Sequence, residues 1–411
     1  MTDFIVLGAG MVGVSTALAL QAQGHKVALV DKQPPGQETS YGNAGIIQAE
    51  AAEPYALPRD FPTLANFMFG LTNHVTWTVP GVLKMAPALW SYFRHSSVSR
   101  HQATSSLYAQ LTSRSTVDHQ PLIEASNCQH LIQQDGYALL FREEKAFDEA
   151  AQRAQRFARQ YGVTSRVLAG KDYQAEEPAL LQTPAGVVHF TQSWTCASPG
   201  ELTQAYSQLF VARGGEIFTG DADSLQPQPN GWSVNTMSGE VQAEQAVVAL
   251  GPWSPELLKR FGYTIPMIYK RGYHGHYPSP NMLKRPFLDA ENGVLAAPMK
   301  QGIRVTTGAS LVSLDAPIDT RQLDYGVNAL SDMLALEERI SEPQWFGSRP
   351  CMPDMLPMVG EAPRHKGMWF HFGHGHQGFT LGPTTAALLT EAMAGKDDAL
   401  LKALSPKRAF L

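Results

Sequence analysis

The chain has 411 residues, more than one hydrophobic core usually organises, so two domains are expected. Lys and Arg number 32 against 37 Asp and Glu, a net charge of -5 with no basic run or stripe, which excludes a nucleic-acid partner. Cys128, Cys196 and Cys351 lie too far apart for a CxxC metal site or a disulfide framework, which fits a reducing compartment.

The sequence opens MTDFIVLGAG, entering an apolar strand with no basic leader, long apolar run or small-residue cleavage site, so export is not expected. After Phe4–Leu7 come GAGMVG and VSTALALQAQG, whose Val14, Ala17, Leu18 and Leu20 share one helical face. This strand, turn and helix set Gly8, Gly10 and Gly13 at GxGxxG spacing, with Met11 and Val12 between them. Glycines there free the turn of Cβ crowding and let backbone approach a pyrophosphate, while the helix start offers unpaired N–H groups. The next strand, HKVALVD, ends at Asp31 and Lys32 follows. An acid about 20 residues past the glycines accepts the ribose hydroxyls of an adenosine and disfavours a 2′-phosphate.

That fingerprint leaves NAD and FAD open. The stretch ETSYGNAGIIQAE, from Glu38 to Glu50, favours FAD. Thr39 and Ser40 can donate to phosphate, while Gly42, Asn43, Ala44 and Gly45 leave room for a flat ring. Ile46, Ile47 and Gln48 come next, where a substrate pocket would begin.

No charged residue stands between Asp60 and Lys84, yet Pro62, Asn66, Asn73, His74 and Pro80 argue against a membrane-spanning helix. Val82, Leu83, Met85, Ala86, Leu89, Trp90 and Phe93 recur at helical spacing. Two readings stay open: a peripheral membrane contact through residues 61–95, or a helix packed on its own protein.

Further along, helices are expected from about Leu107 to Leu122, from Glu144 to Tyr161, and over GELTQAYSQLFVARGG. Strands are expected at YALLF, across GWSVNTMSGEVQAEQAVVALG, and at YKRGYHGHY, GVLAAP and IRVTTG, with a hairpin turn at Gly302. VVALGPWS is an apolar strand meeting a glycine turn, where Gly251 and Trp253 approach a cofactor; Trp253 could equally be interdomain core. Alternation sets Arg271, Tyr273 and Tyr277 on one face of their strand and His274 and His276 on the other. The tyrosine row is the one expected in the pocket, with His274 a further catalytic candidate. Near the end, WFGSRPCMPDMLPMVG holds Arg349 ahead of Pro350, which restricts it to extended backbone.

The fingerprint with ETSYGNAG, the segment VVALGPWSPELL, and the closing GSRPCMPDMLPMVG with WFHFGHGHQGFTLGP resemble the FAD-dependent D-amino-acid oxidase superfamily, nearest its bacterial D-amino-acid dehydrogenase branch. The resemblance implies an α/β fold, α+β overall. A Rossmann-like FAD-binding domain (1–55, 101–130, 199–263 and 346–411) would carry a second, mainly antiparallel-sheet substrate domain (56–100, 131–198 and 264–345). It also implies noncovalent FAD, with Ala222 against the adenine and Gly375, His376, Gln377, Gly378, Phe379 and Thr380 around the flavin. Arg349 would grip the substrate carboxylate, supplemented by Tyr273, while the His376 carbonyl takes the amine hydrogen; Tyr273 could instead be packed core. No metal is expected at His371, His374 and His376.

The implied reaction is oxidative deamination of a small D-amino acid, with electrons passed to a quinone or other acceptor at the cytoplasmic side of the inner membrane. Alternatives are oxidation of secondary amines such as sarcosine, proline derivatives or opines, and a non-catalytic FAD-binding subunit. Related dehydrogenases often carry Gln where this chain has Ile46, which leaves the preferred amino acid open, as is the oligomeric state.

Overall fold

The computed structural model describes residues 2–70 and 72–409. Leu71, within the stretch weighed as a membrane contact, and Met1, Phe410 and Leu411 lie outside the described residues.

The first of two large sheets is built on the N-terminal strand. Thr2–Leu7 lies parallel between Val27–Asp31 and Gly239–Val248, with Glu216–Thr219 and Met368–Phe372 next outward on either side. Its strands are apolar runs because both faces are covered. Phe4 and Val6 pack with Ala17 and Leu18 of the helix Met11–Ala22 and with Leu388 of the helix Gly378–Met393. Ile5 and Leu7 face the other way, toward Leu225, Trp232 and Leu257. Beyond Thr219, the long strand Glu216–Gln228 leaves the parallel array and pairs antiparallel with Gly231–Thr236, which pairs in turn with Gly239–Val248.

Among the described residues the second sheet has ten strands, antiparallel except where Phe287–Asp289 meets Tyr137–Phe141 and Ala309–Leu311 meets Val75–Trp77. At its centre Ile268–Tyr277 pairs with Gly302–Thr306 on one edge and Trp345–Cys351 on the other. The hairpin expected at Gly302 forms: Met299 pairs with Gly302, whose φ of +122° only glycine adopts readily. Because Trp345–Cys351 pairs with this sheet over seven positions, residues 346–351 belong to it, a correction to their expected place in the cofactor domain.

The helix expected near 107–122 is two, Val98–Thr112 and Ser115–Ala125. At the break the Thr112 and Ser113 hydroxyls donate back to the carbonyls of Tyr108 and Gln110, a local bonding that competes with helix continuation. The helix Val79–His95 packs on its own protein by one face, with Met85, Ala88 and Tyr92 buried against Ile268, while Leu83 is 69% and Trp90 63% exposed. Among the described residues no helix is long and apolar enough to cross a membrane.

Candidate active site

A cavity of about 740 Å³ runs between the two sheets. At one end the first βαβ unit forms a cradle. Gly8 has φ +105°, and a Cβ there would stand 2.5 Å from the Ala249 carbonyl oxygen; a Cβ on Gly13 would stand 1.8 Å from that of Gly8. Gly8 and Gly10 line the cavity with Met11 and Val12, whereas Gly13 acts behind it by letting helix meet strand. No side chain caps the helix at Gly10; the Met11 N–H donates to Ser40 Oγ at 2.9 Å.

Asp31 accepts from Ala9 N at 2.6 Å with one oxygen and from Gln33 N at 2.9 Å with the other, which leaves lone pairs on both for a ligand. Lys32 stands 5.3 Å from the centre of the Trp253 ring, and both line the cavity with Thr39, Ser40, Ala222 and Gly251. At Gly251, φ +54°, nothing lies within 4 Å of where a Cβ would be. A glycine cradle, a carboxylate with spare lone pairs and open space at Gly251 fit an adenosine diphosphate.

Farther in, Gly42, Asn43, Ala44, Ile46 and Gln48 line one wall, and Gly375, His376, Gly378 and Phe379 another. The helix Gly378–Met393 begins there with no side-chain cap, so its unpaired N–H groups and positive dipole end suit the anionic edge of a reduced flavin. Pro383, inside this helix, cannot donate to the Phe379 carbonyl. That oxygen lies 3.0 Å from His119 Nε2, and His119 Nδ1 lies 2.9 Å from the Tyr206 hydroxyl. A carbonyl only accepts, so His119 Nε2 carries the hydrogen; burial lowers this histidine to about 4 and keeps it neutral.

Several expected residues lie off the cavity. Ile47 is buried on the opposite side of its short strand from Ile46, as alternation requires. Gly45, also off it, is required by the Cys196 carbonyl, 2.3 Å from its own Cβ position, while Gly42 meets the cavity but has its Cβ side filled by Trp345, whose indole would stand 2.0 Å from a Cβ. Thr380 donates to the Ile46 carbonyl at 3.1 Å and accepts from Gln48 N at 3.3 Å, which ties the helix start to that strand. Gln377 is buried and donates to Gln48 Oε1 at 2.6 Å.

Both rows of the central strand reach the cavity. Lys270 and Gly272 line the cavity. Tyr273 borders it, but its hydroxyl accepts from Asp319 N at 3.2 Å, and its ring is buried with Leu323 and Leu330, so it does not supplement Arg349. His274 shares the face of Lys270 but is covered by Trp345, stacked at 4.5 Å and 12°. Burial, then the charge of Arg304, depresses it to about 2, which keeps the ring neutral. His274, His276 and Glu342 gather ligand atoms within 4.8 Å. Arg304 Nε donates to His276 Nε2 at 2.9 Å and Glu342 meets Nδ1 at 2.8 Å, so both ring nitrogens are taken and a cation already stands there. Arg304 also donates to the Tyr41 and Asn43 carbonyls at 3.0 and 2.5 Å, fastening the second sheet to the Gly42 turn. His371 and His374 both meet Thr385 Oγ1, at 2.8 and 3.0 Å.

Arg349 lines the cavity as expected. Nη1 donates to the Gly308 carbonyl at 2.6 Å and Nη2 to that of Thr307 at 3.1 Å, which leaves three of its five N–H bonds. It has no carboxylate partner among the described residues. Gly272 makes this seating possible, because a Cβ there would stand 2.6 Å from Nη2. His376 also lines this end, 5.2 Å from the Tyr55 ring, and is held at about 3 by burial and then by Arg349 and Lys270. Sequence reasoning passed over Lys270, Gly272, Tyr92, Tyr55 and His119. For the first two a signal exists: a glycine within a strand marks a close approach, and alternation puts Lys270 on its face.

A dinucleotide cradle, a second sheet over it and a guanidinium without a carboxylate partner between them fit a flavoprotein oxidoreductase. The family described as FAD dependent oxidoreductase matches residues 3–392, so the chain belongs to it. It is 27% identical over 413 residues to a D-amino-acid oxidase of Bradyrhizobium diazoefficiens, covering 98% of each chain. It is also 27% identical over 407 residues to a D-amino acid dehydrogenase of Chromohalobacter salexigens, covering 96% of each. Among solved structures it resembles glycine oxidase from Geobacillus kaustophilus, with a TM-score of 0.74 at 19% identity over 98% of each chain. Iminodiacetate oxidase from Chelativorans sp. gives 0.71 at 19% identity, over 98% of this chain and 99% of that one.

Proposed function

We propose that the chain oxidises amino acids, D-amino acids first among them, to 2-oxo acids and ammonia, with noncovalently held FAD and a quinone or similar acceptor. The observation that carries this is Arg349, a cation without an acid partner in a cavity whose other end fits an adenosine diphosphate. D-amino-acid enzymes among the relatives support the stereochemistry.

Arg349 grips the substrate carboxylate through two parallel charge-assisted bonds. The His376 carbonyl receives the amine hydrogen, which together with Arg349 fixes the direction of the α-carbon. FAD supplies the acceptor for the α-hydrogen as hydride. The start of the helix Gly378–Met393, held in place by His119 and Thr380, offsets negative charge at that wall. Water then hydrolyses the imino acid. Burial raises the Cys351 thiol, which keeps it protonated.

The same reading takes the surface around 61–95 as a peripheral membrane contact. Phe61 is 82% and Phe69 74% exposed, as Leu83 and Trp90 also are, and no Asp or Glu occurs between Asp60 and Asp118.

The test is anaerobic reduction of the holoenzyme by D-, L- and N-substituted amino acids, followed by reoxidation with air or a quinone analogue. Bleaching by a D-amino acid and reoxidation by the quinone are expected. Bleaching by secondary amines alone would move the activity to that class, and rapid reoxidation by air would make the protein an oxidase.

A further inference from the structure

Lys270 and Arg349 are directly opposed on the antiparallel strands Ile268–Tyr277 and Trp345–Cys351. Opposed side chains leave a sheet on the same face, and both of these line the cavity. Like charges so placed repel, and more strongly away from water, unless an anion comes between them.

Neither has a carboxylate partner among the described residues. Arg349 holds two backbone carbonyls. Lys270 Nζ donates to the Tyr92 hydroxyl at 3.0 Å, which uses one of its three hydrogens. Tyr92 is fixed in turn by donating to the Tyr55 carbonyl, so the ammonium is positioned and not trailing in solvent. The acids that line the cavity are Asp31, Glu38, Asp221, Asp223 and Glu256, all on the first sheet or its connections. Among the residues that line it, the end under the second sheet therefore holds two cations and no carboxylate, one more positive charge than a single substrate carboxylate offsets.

We propose that Lys270 is a second anion anchor, so that the preferred substrates carry two carboxylates, one gripped by Arg349 and the other by Lys270. The second group sits either on the side chain, as in an acidic amino acid, or on the nitrogen, as in an N-carboxyalkyl amine. This assignment of substrate class rests on the amino-acid reading of the Arg349 site.

Non-reacting acids titrated into oxidised holoenzyme, followed by flavin absorbance, test the anchor without turnover. Succinate and malonate are expected to bind at least about tenfold tighter than acetate, the effect of one charge-assisted bond. Lys270→Met should erase that gap with FAD content unchanged, and Lys270→Arg should restore it. In turnover, D-glutamate and iminodiacetate against D-alanine distinguish the side-chain from the N-linked carboxylate through KM. Equal binding of acetate and succinate by the native protein, or equal weakening of both by Lys270→Met, overturns the proposal. A preserved gap with no bleaching by any amino acid leaves the anchor standing and removes the proposed reaction; bleaching without a gap does the reverse.

Discussion

The guanidinium of Arg349 lies across Gly272, so close that a methyl group on residue 272 would stand 2.6 Å from Nη2. A glycine in mid-strand weakens a sheet, and here it leaves room for the side chain that faces the substrate. Gly272→Ala is predicted to keep FAD bound and to raise KM for carboxylate substrates by at least about tenfold, since the displaced guanidinium loses its aim. An unchanged KM in steady-state assays would show that Arg349 does not depend on this seat.

Trp345 and Gly42 give a second, separable prediction. A methyl on residue 42 would meet the indole at 2.0 Å, so Gly42→Ala should destabilise the protein by about 1–3 kcal/mol through overpacking. Pairing it with Trp345→Leu should recover much of that loss in thermal melts. If the double variant is no better than Gly42→Ala, the crowding does not come from the Trp345 indole.

His119 holds the Phe379 carbonyl that Pro383 leaves unpaired, at the helix start facing the cavity. His119→Phe removes the donor and buries that oxygen unsatisfied, a cost of about 1–3 kcal/mol. Chemical denaturation of the holoprotein checks the loss.

The same histidine sets a pH signature. Its folded value, about 4, lies below that of an exposed histidine, so between about 6.5 and 4 the unfolded chain binds the extra proton. Its stabilising contribution is full above that window and falls by about 1.4 kcal/mol per pH unit as pH drops through it. Glu50 works in the opposite direction, because burial raises its carboxyl. The informative quantity is therefore the difference between native protein and His119→Gln, whose slope of stability against pH should be smaller by one proton. Parallel slopes from pH 7 to 5 would contradict a neutral buried His119.

Much of the cofactor end was legible in the sequence because it depends on local geometry: GAGMVG, Asp31 and the Gly251 turn lie where strand ends impose them. Arg349 was legible for the same reason, its backbone restricted by Pro350. The substrate end was read less well. Alternation separated the Tyr273 row from the Lys270 row, but what each row does at the cavity is decided by long-range packing. Tyr273 is drawn to the amide of Asp319 and to Leu323, far along the chain. Gly42 and Gly45 were marked as room for a flat ring, yet their close neighbours, Trp345 and the Cys196 carbonyl, come from segments no local pattern connects to them. His119 could be found only once the helix holding Pro383 stood beside it.

The central claim is that Arg349 binds the substrate carboxylate in an FAD enzyme, and Arg349→Met measures it most directly. Two charge-assisted bonds of about 1.5–3 kcal/mol each are removed, so kcat/KM for the best amino acid should fall by about 10²–10⁴. The bound FAD and its absorbance spectrum should stay as in the native protein. Retention of native kcat/KM by a variant that still holds FAD would remove Arg349 from the site and with it this account of the reaction.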